Sequence, residues 1–310
     1  MKHLYRQALL VLLVLLAPVA ATAQGPGASR GEIVVAAQRS GAPMWTIDTA
    51  ANTVILVGDI HAIPKATPWH PDRLERATAK ADRVILTDRP NISAGDFFRL
   101  LFKGGRVMRL PEGTTAADYL ATDQLARLAA LEARYRQNYA RSSFFMTALD
   151  LLSDRLGFDD DITDATALAE EAADDADVPT IIVERFAGKN YIDSLFAMPA
   201  ESHIPCLEAA MAAAEAGPWT VTARADAWRR FDIPGVMANP LEVALGTCWP
   251  WADPQIGVHT RTVWVDAIAR ALGEDGVTVA VVPLRVLAEA GGVLDQLEAR
   301  GLDIAGPAWK

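Results

Sequence analysis

The sequence predicts an α/β fold with a central, mostly buried β-sheet flanked by helices. Two observations support this prediction. Short runs of apolar and β-branched residues recur along the chain without the alternation that is typical of half-exposed strands. Between them lie segments with apolar residues at three- and four-residue spacing, which is typical of amphipathic helices. Strands buried on both faces and separated by helices are typical of α/β proteins.

The predicted strands are short and widely spaced. A turn at Ala51-Asn52 joins the first two, and the third follows a helical stretch that begins near Pro71. The five predicted strands are Met44–Ile47, Thr53–Val57, Arg83–Leu86, Thr180–Val183 and Val277–Val282.

Helical patterns fill most of the remaining chain. In the clearest of them, residues 123–135, Leu125, Leu128 and Leu131 form an apolar stripe. Residues 94–178 have almost no strand signal and are predicted to be a helical insertion between the third and fourth strands. The other predicted helices are 163–177, 201–216, 223–229, 258–272 and 284–300, the last of which ends at Gly301, a suitable helix terminator.

The first 23 residues are predicted to be a cleavable signal peptide. Lys2 and Arg6 precede the apolar run Ala8–Leu16, and Ala21-Thr22-Ala23 supplies the small residues of a cleavage site. The run is shorter than the roughly 20 residues that span a bilayer. We therefore expect a periplasmic or secreted protein with no stable membrane span after cleavage. Residues 24–43 are predicted to be a flexible lead-in, and residues 44–310 a single α/β domain.

The predicted export affects how the two cysteines are interpreted. Cys206 and Cys248 are the only ones in the chain. In an oxidising compartment an even pair is most simply one disulfide. The alternative is a pair of buried free thiols, and the sequence leaves both interpretations open.

The composition excludes several classes of protein. Half of the 310 residues are hydrophobic (51%), which is too many for an intrinsically disordered chain. The formal net charge of -10 has the wrong sign for nucleic-acid binding, which requires a basic surface.

Polar side chains follow three of the predicted strands. Gly58-Asp59-Ile60-His61 follows the second, Asp88 the third and Glu184 the fourth. Because the carboxyl ends of parallel strands meet at one edge of a sheet, we expect His61, Asp88 and Glu184 to converge there as catalytic residues.

One imidazole and two carboxylates are suitable ligands for Mn, Co or Zn, and such an ion activates water. Gly58 would allow a close backbone approach, and Asp59 would add a carboxylate ligand or orient the imidazole. In the alternative interpretation His61 is structural, and Asp88 and Glu184 form ion pairs at the edge of the sheet.

Several motifs resemble, in order, those of the TraB/GumN (PrgY-like) family, which is related to the Tiki metalloproteases. Met44-Trp45-Thr46-Ile47 and Gly58-Asp59-Ile60-His61 are similar to its tryptophan-containing strand and its first G-x-x-H motif. The resemblance covers about residues 44–306 and implies metal-dependent hydrolysis. The other matching segments are Ala81–Leu86, Val178–Glu184, Ala227–Asp232, Arg261–Trp264 and Val277–Gly306.

The departures from the family pattern concern the implied metal site. Where the family has a second G-x-x-H, this chain reads Val282-Pro283-Leu284-Arg285, so both glycine and histidine are absent. Of the implied metal ligands, only His61 and Glu184 are retained in place. Arg261 and Arg285 are predicted to be site arginines, and Arg285 is expected to pair with Glu184 and Asp88. His70, His203 and His259 are weaker candidates for the site.

These features lead to two hypotheses. The first is an exported hydrolase resembling a metalloprotease, in which His61 and Glu184 bind a divalent ion and a degenerate site remains active. The second is a catalytically inactive protein that binds a peptide or another envelope component in the same cleft, without a cofactor.

Overall fold

The computed structural model describes residues 40–87, 105–158, 161–183 and 188–310. The predicted signal peptide and most of the lead-in lie outside these ranges, as do Asp88 and Glu184. The described residues fall within one compact unit that extends from Gln38 to Lys310.

A five-stranded mixed sheet forms the centre of the molecule, in the order β1-β2-β7-β4-β6. Only β1 runs antiparallel to its neighbour, and the other adjacent pairs are parallel. This confirms the predicted α/β class and all five predicted strands. A separate ladder joins β3 to β5. The strands are β1 (Met44–Asp48), β2 (Asn52–Asp59), β3 (Ile63–Pro64), β4 (Arg83–Leu86), β5 (Ile162–Thr163), β6 (Thr180–Ile182) and β7 (Gly276–Pro283).

The burial of the strands follows their position in the sheet. Val54, Leu56 and Val57 of β2 and residues 279–282 of β7 are fully buried, since both strands lie inside the sheet and are covered on both faces. The prediction that every strand is covered on both faces is wrong for β6. It lies at the edge, where it pairs only with β4, and its Ile181 is 45% exposed.

Some helices pack on the sheet, and the others pack on one another in a separate core. Among the described residues, no helix is both long and apolar enough to cross a membrane. The helices are α1 (Asp72–Ala79), α2 (Gly105–Met108), α3 (Thr122–Tyr135), α4 (Phe144–Asp150), α5 (Ala165–Asp175), α6 (Gly188–Ala197), α7 (Ile204–Ala216), α8 (Trp219–Arg229), α9 (Ile233–Met237), α10 (Pro240–Thr247), α11 (Pro254–Ala271), α12 (Leu284–Ala288) and α13 (Val293–Ala299).

The prediction of one helix over residues 284–300 is wrong, because a turn separates α12 from α13. Gly291 adopts a left-handed conformation with φ of 70°. At Gly292 a Cβ atom would lie 2.7 Å from the carbonyl oxygen of Leu287, so the tight turn has no room for a side chain. The helix end at Gly301, with φ of 81°, is placed as predicted.

Buried side chains form two hydrophobic cores. The first surrounds the sheet and includes Trp45, Trp228 and Trp264. The second is helical and is built by the insertion together with α7 and α10. Cys206 and Cys248 lie in this second core and form the predicted disulfide. The predicted insertion therefore packs against helices from later in the chain.

Candidate functional site

A cavity of about 510 Å³ opens at the carboxyl end of the sheet, where the chain leaves β2 and β7. Ile60 and His61 follow β2 on its wall, and Leu284 and Arg285 follow β7. The parallel register places the carboxyl ends of β4 and β6 on the same edge. This is the edge that the sequence predicts for the site. Asp88 and Glu184, which follow β4 and β6, are outside the described residues.

Most of the cavity wall is apolar and aromatic. Phe145, Phe158, Trp249 and Trp251 line it. The Cys206–Cys248 disulfide contributes to the same wall, so the cavity lies where the helical core adjoins the sheet.

One carboxylate and two guanidinium groups form an ionic cluster on this wall. Arg224 Nε lies 2.6 Å from Glu242 Oε2, and Arg285 Nη2 lies 2.8 Å from Glu242 Oε1. Arg285 Nη2 also donates to the backbone carbonyl of Glu242. The Glu242 side chain is only 6% exposed, so both of its oxygens are satisfied by ion pairs away from bulk water.

Charge, rather than burial, decides the ionisation of Glu242. Burial by itself would raise the pKa of this carboxyl group, but the charges of Arg224 and Arg285 outweigh burial and lower the pKa below its usual value. Glu242 is therefore ionised at neutral pH. Two cations share one anion, and the cluster carries one excess positive charge.

The cluster is held in place by contacts between α8, α10 and the sheet. Asn239 caps α10 by accepting from the Leu241 amide and donates to the Thr220 carbonyl on α8, which fixes Glu242 opposite Arg224. Trp228, one turn beyond Arg224, donates its indole N–H to the carbonyl of Gly58 at 2.8 Å. The helix carrying Arg224 is thereby fixed to the end of β2.

His61 contacts the ionic cluster through its backbone carbonyl and not through its ring. Its carbonyl accepts a hydrogen bond of 2.8 Å from Arg224 Nη1, whereas its imidazole is exposed and lies edge-on to Phe158. Ala62 then adopts a left-handed conformation with φ of 62°, which is strained for a residue with a Cβ atom. The loop after β2 is thus tied to the ionic cluster.

The profile of the TraB/PrgY/gumN family matches residues 43–305 of this chain. The chain belongs to the TraB/PrgY/gumN family. A comparison with curated proteins found no match.

Asp59, the second residue of the first G-x-x-H motif of this family member, serves as a helix anchor. Its two carboxylate oxygens accept hydrogen bonds from the Ala165 amide, at 3.1 Å, and the Thr166 hydroxyl, at 2.8 Å. Burial and the neighbouring Asp164 raise the pKa of Asp59, an effect that these two hydrogen bonds oppose. Both oxygens are thus engaged at the N-terminal end of α5.

The described residues of this family member do not fit a divalent metal ion. Within the described ranges, no three His, Cys, Asp or Glu side chains gather to form a cluster of potential ligands. The Asp59 oxygens are engaged by α5, and the cation Arg285 lies in the first turn of α12, directly after β7, where the family resemblance implies a histidine. Asp88 and Glu184 stay predicted ligands.

Gly58 lies in a tightly packed place, and a side chain at this position is expected to lower the stability of the protein. A Cβ atom there would lie 2.7 Å from Leu284 Cδ1 and 3.0 Å from the Trp45 ring. We expect Gly58→Ala to lower the free energy of unfolding by about 1–3 kcal/mol through overpacking. Urea denaturation followed by fluorescence measures this, and a variant as stable as the wild type would contradict it.

The other predicted residues lie away from the cavity wall. Arg261 pairs with Glu289, between α11 and the turn after α12. His70 and His259 are exposed, whereas His203 is buried with its ring 5.5 Å from that of Phe145. None of these four lines the cavity.

Arg224 and Glu242 were not among the site residues predicted from sequence. The predicted residues follow strands, whereas these two lie on helices α8 and α10. One signal was available. Glu242 is the only charged residue in the apolar segment Pro240–Thr247. A lone carboxylate in an apolar helix requires a cationic partner when it is buried.

Proposed function

We propose that this TraB/PrgY/gumN family member is an exported protein that binds a peptide or another envelope component in the strand-end cavity, without a resident metal ion and without hydrolysing it. The observation that carries the proposal is the Arg224–Glu242–Arg285 cluster on the cavity wall.

The cluster disfavours a divalent ion at this place. Arg285 stands where the family resemblance implies the second metal-binding histidine, and it places a cation there. A fixed cation near a metal site repels the ion, most strongly where water is scarce. The position of Arg285 therefore supports binding over metal-assisted hydrolysis.

The cavity has the features of a ligand site. Its volume of about 510 Å³ lies within the range typical of small-molecule pockets, and an apolar wall with a few convergent polar groups is their usual composition. Aromatic rings provide contact area with little loss of side-chain freedom. These features support the binding of a small molecule or a short peptide segment.

Export is part of the proposal. The order of charged, apolar and small residues at positions 1–23 supports a signal peptide, and the disulfide between Cys206 and Cys248 is compatible with an oxidising compartment.

The proposal is tested with the mature protein, before and after dialysis against EDTA. We expect peptides from a mixed library to bind equally in both samples and to be recovered intact. Binding is followed by the fluorescence of Trp249 and Trp251, with Trp249→Phe and Trp251→Phe variants to assign the signal, and peptide integrity by mass spectrometry.

The metal-dependent hydrolase is the competing outcome of the same experiment. Stoichiometric Mn, Co or Zn in the purified protein, together with peptide cleavage that His61→Ala abolishes, would contradict the proposal. Because His61 contacts Arg224 through its backbone carbonyl, His61→Ala removes the imidazole from the cavity wall and leaves this contact in place.

A further inference from the structure

We infer that the ligand of the strand-end cavity is an apolar carboxylate, in which an aromatic or aliphatic body fills the cavity and the carboxylate pairs with Arg285. This inference rests on the proposed binding function and specifies the chemical class of its ligand. The carboxylate can belong to the C-terminus of a peptide or to a free apolar acid, and the experiment below distinguishes the two.

The cavity wall carries an excess positive charge. Arg224 and Arg285 share the single carboxylate of Glu242, so one of the two positive charges has no counter-charge within the cluster. Asp59 lines the same cavity, but its oxygens are bonded to α5, and no ion pair joins it to either arginine within the described ranges. An excess cation on an apolar wall is stabilised by an anionic ligand group more than by a neutral one.

Arg285 has hydrogen-bond donors that form no bond within the described part of the protein. Arg224 is 4% exposed and uses Nε for Glu242 and Nη1 for the carbonyl of His61. Arg285 is 15% exposed and bonds Glu242 through Nη2 alone. In the described part of the chain, its Nε and Nη1 atoms have no hydrogen-bond partner. Among the described residues, Arg224 thus has one nitrogen without a partner, Nη2, whereas the more accessible Arg285 has two.

The guanidinium group of Arg285 is held in a fixed position. It lies over Gly246 of α10, where a Cβ atom would be 2.0 Å from Nη1 and 2.1 Å from Cζ. Gly246 thus provides the space that Arg285 occupies, while Glu242 one turn earlier anchors Nη2. A donor group held in place before binding loses little conformational freedom when the ligand arrives.

The rest of the wall selects the body of the ligand. Apart from the ionic cluster, Asp59 and His61, the described wall is apolar, with Phe145, Phe158, Trp249 and Trp251 among its residues. A strongly hydrated polyanion would lose its water against such a wall, whereas a carboxylate on an apolar body exposes only one end to the cation.

The test compares two dipeptides that differ only in charge at the C-terminus, together with a free aliphatic acid. N-acetyl-Phe-Phe with a free carboxylate, the same dipeptide as its C-terminal amide, and decanoate are titrated into the mature protein by calorimetry. We expect the carboxylate to bind at least about ten-fold more tightly than the amide, as is typical of a charge-assisted hydrogen bond. Tighter binding of the dipeptide than of decanoate identifies a peptide C-terminus, and the reverse order identifies a free acid.

A glycine substitution tests the role of Arg285 without removing a charge. Gly246→Ala should displace the guanidinium and reduce the advantage of the carboxylate over the amide to near unity, while alanine suits the helix. The matched control is Gly257→Ala on α11, where the new Cβ atom would lie 3.5 Å from Nη1 of Arg261, an ordinary contact. We expect the control to retain the full advantage.

The outcomes separate this inference from the proposed function. Equal binding of the acid and the amide to the wild type would overturn the apolar carboxylate as the ligand class but leave a binding protein. Binding of library peptides with no binding of any of the three probes would do the same. The absence of binding by the probes and by the library would overturn both. The wild-type comparison stays decisive even where Gly246→Ala fails to fold.

Discussion

Replacement of Glu242 by glutamine is expected to lower the free energy of unfolding by about 3–5 kcal/mol, as is typical when one partner of a buried ion pair is removed. Glutamine keeps the volume and one acceptor oxygen, but it leaves Arg224, which is 4% exposed, without a counter-charge. The loss therefore comes mainly from an uncompensated buried cation. Urea denaturation followed by tryptophan fluorescence measures it.

An exposed ion pair provides the matched control. Glu215 accepts two hydrogen bonds from Arg127 on the surface, with 36% and 41% of the two side chains exposed. Glu215→Gln is expected to change stability by less than about 1 kcal/mol, since water replaces a surface pair at little cost. Equal losses in the two variants would contradict a special role for the Glu242 cluster.

The dependence of stability on pH follows from the same carboxylate. The pKa of Glu242 is lower in the folded protein than its ordinary value of 4.5. Its contribution to stability is thus fully present above pH 4.5 and is lost as the pH falls through the folded pKa. We expect the unfolding free energy of the wild type to decrease more steeply below pH 4.5 than that of Glu242→Gln.

Asp59 must be separated from this effect, because its raised pKa acts in the opposite sense. Its proton is held more tightly in the folded state, so its contribution weakens as the pH rises above its ordinary value of 3.8. Asp59 is present in both proteins, and the difference between their pH profiles isolates Glu242. Parallel profiles below pH 4.5 would show that Glu242 has no lowered pKa.

The strands of the main sheet, and the edge of the sheet at which the cavity opens, were predictable from sequence, whereas the ionic cluster was not. Continuous apolar runs identify β2 and β7, because strands inside a parallel sheet are buried on both faces. The pairing of Arg224 with Glu242 depends on how α8 packs against α10, which no local periodicity encodes. The predicted partners of Arg285 were strand-end carboxylates outside the described residues, and its described partner is Glu242, on a helix.

The difference between local pattern and tertiary packing also explains the two wrong predictions about the fold. The exposure of Ile181 depends on the place of β6 at the edge of the sheet, and strand order is not visible in a short apolar run. The predicted helix over residues 284–300 had a continuous apolar pattern, but the tight turn at Gly291-Gly292 divides it. Local patterns thus predicted the five strands of the main sheet, and tertiary packing determined the exposure of β6 and the division of the last helix.

Removal of the disulfide is expected to cost nearly as much stability as loss of the Glu242 charge. The Cys206–Cys248 bridge closes a loop with a sequence separation of 42 residues. Restriction of the unfolded chain by a loop of that length stabilises the folded state by roughly 3–4 kcal/mol. We expect the double variant Cys206→Ala/Cys248→Ala to lose about this amount in urea denaturation. Wild type treated with a reductant serves as its control.

The effect should extend to the cavity, because the bridge links α7 to the end of α10, the helix that carries Glu242 and Gly246. Both cysteines also line the cavity wall. We therefore expect the double variant, while still folded, to bind the dipeptide carboxylate more weakly than the wild type does. Two reactive thiols in the unfolded, unreduced wild type would contradict the bridge itself. Unchanged affinity in a destabilised double variant would instead show that Glu242 and its two arginines keep the wall in place without the bridge.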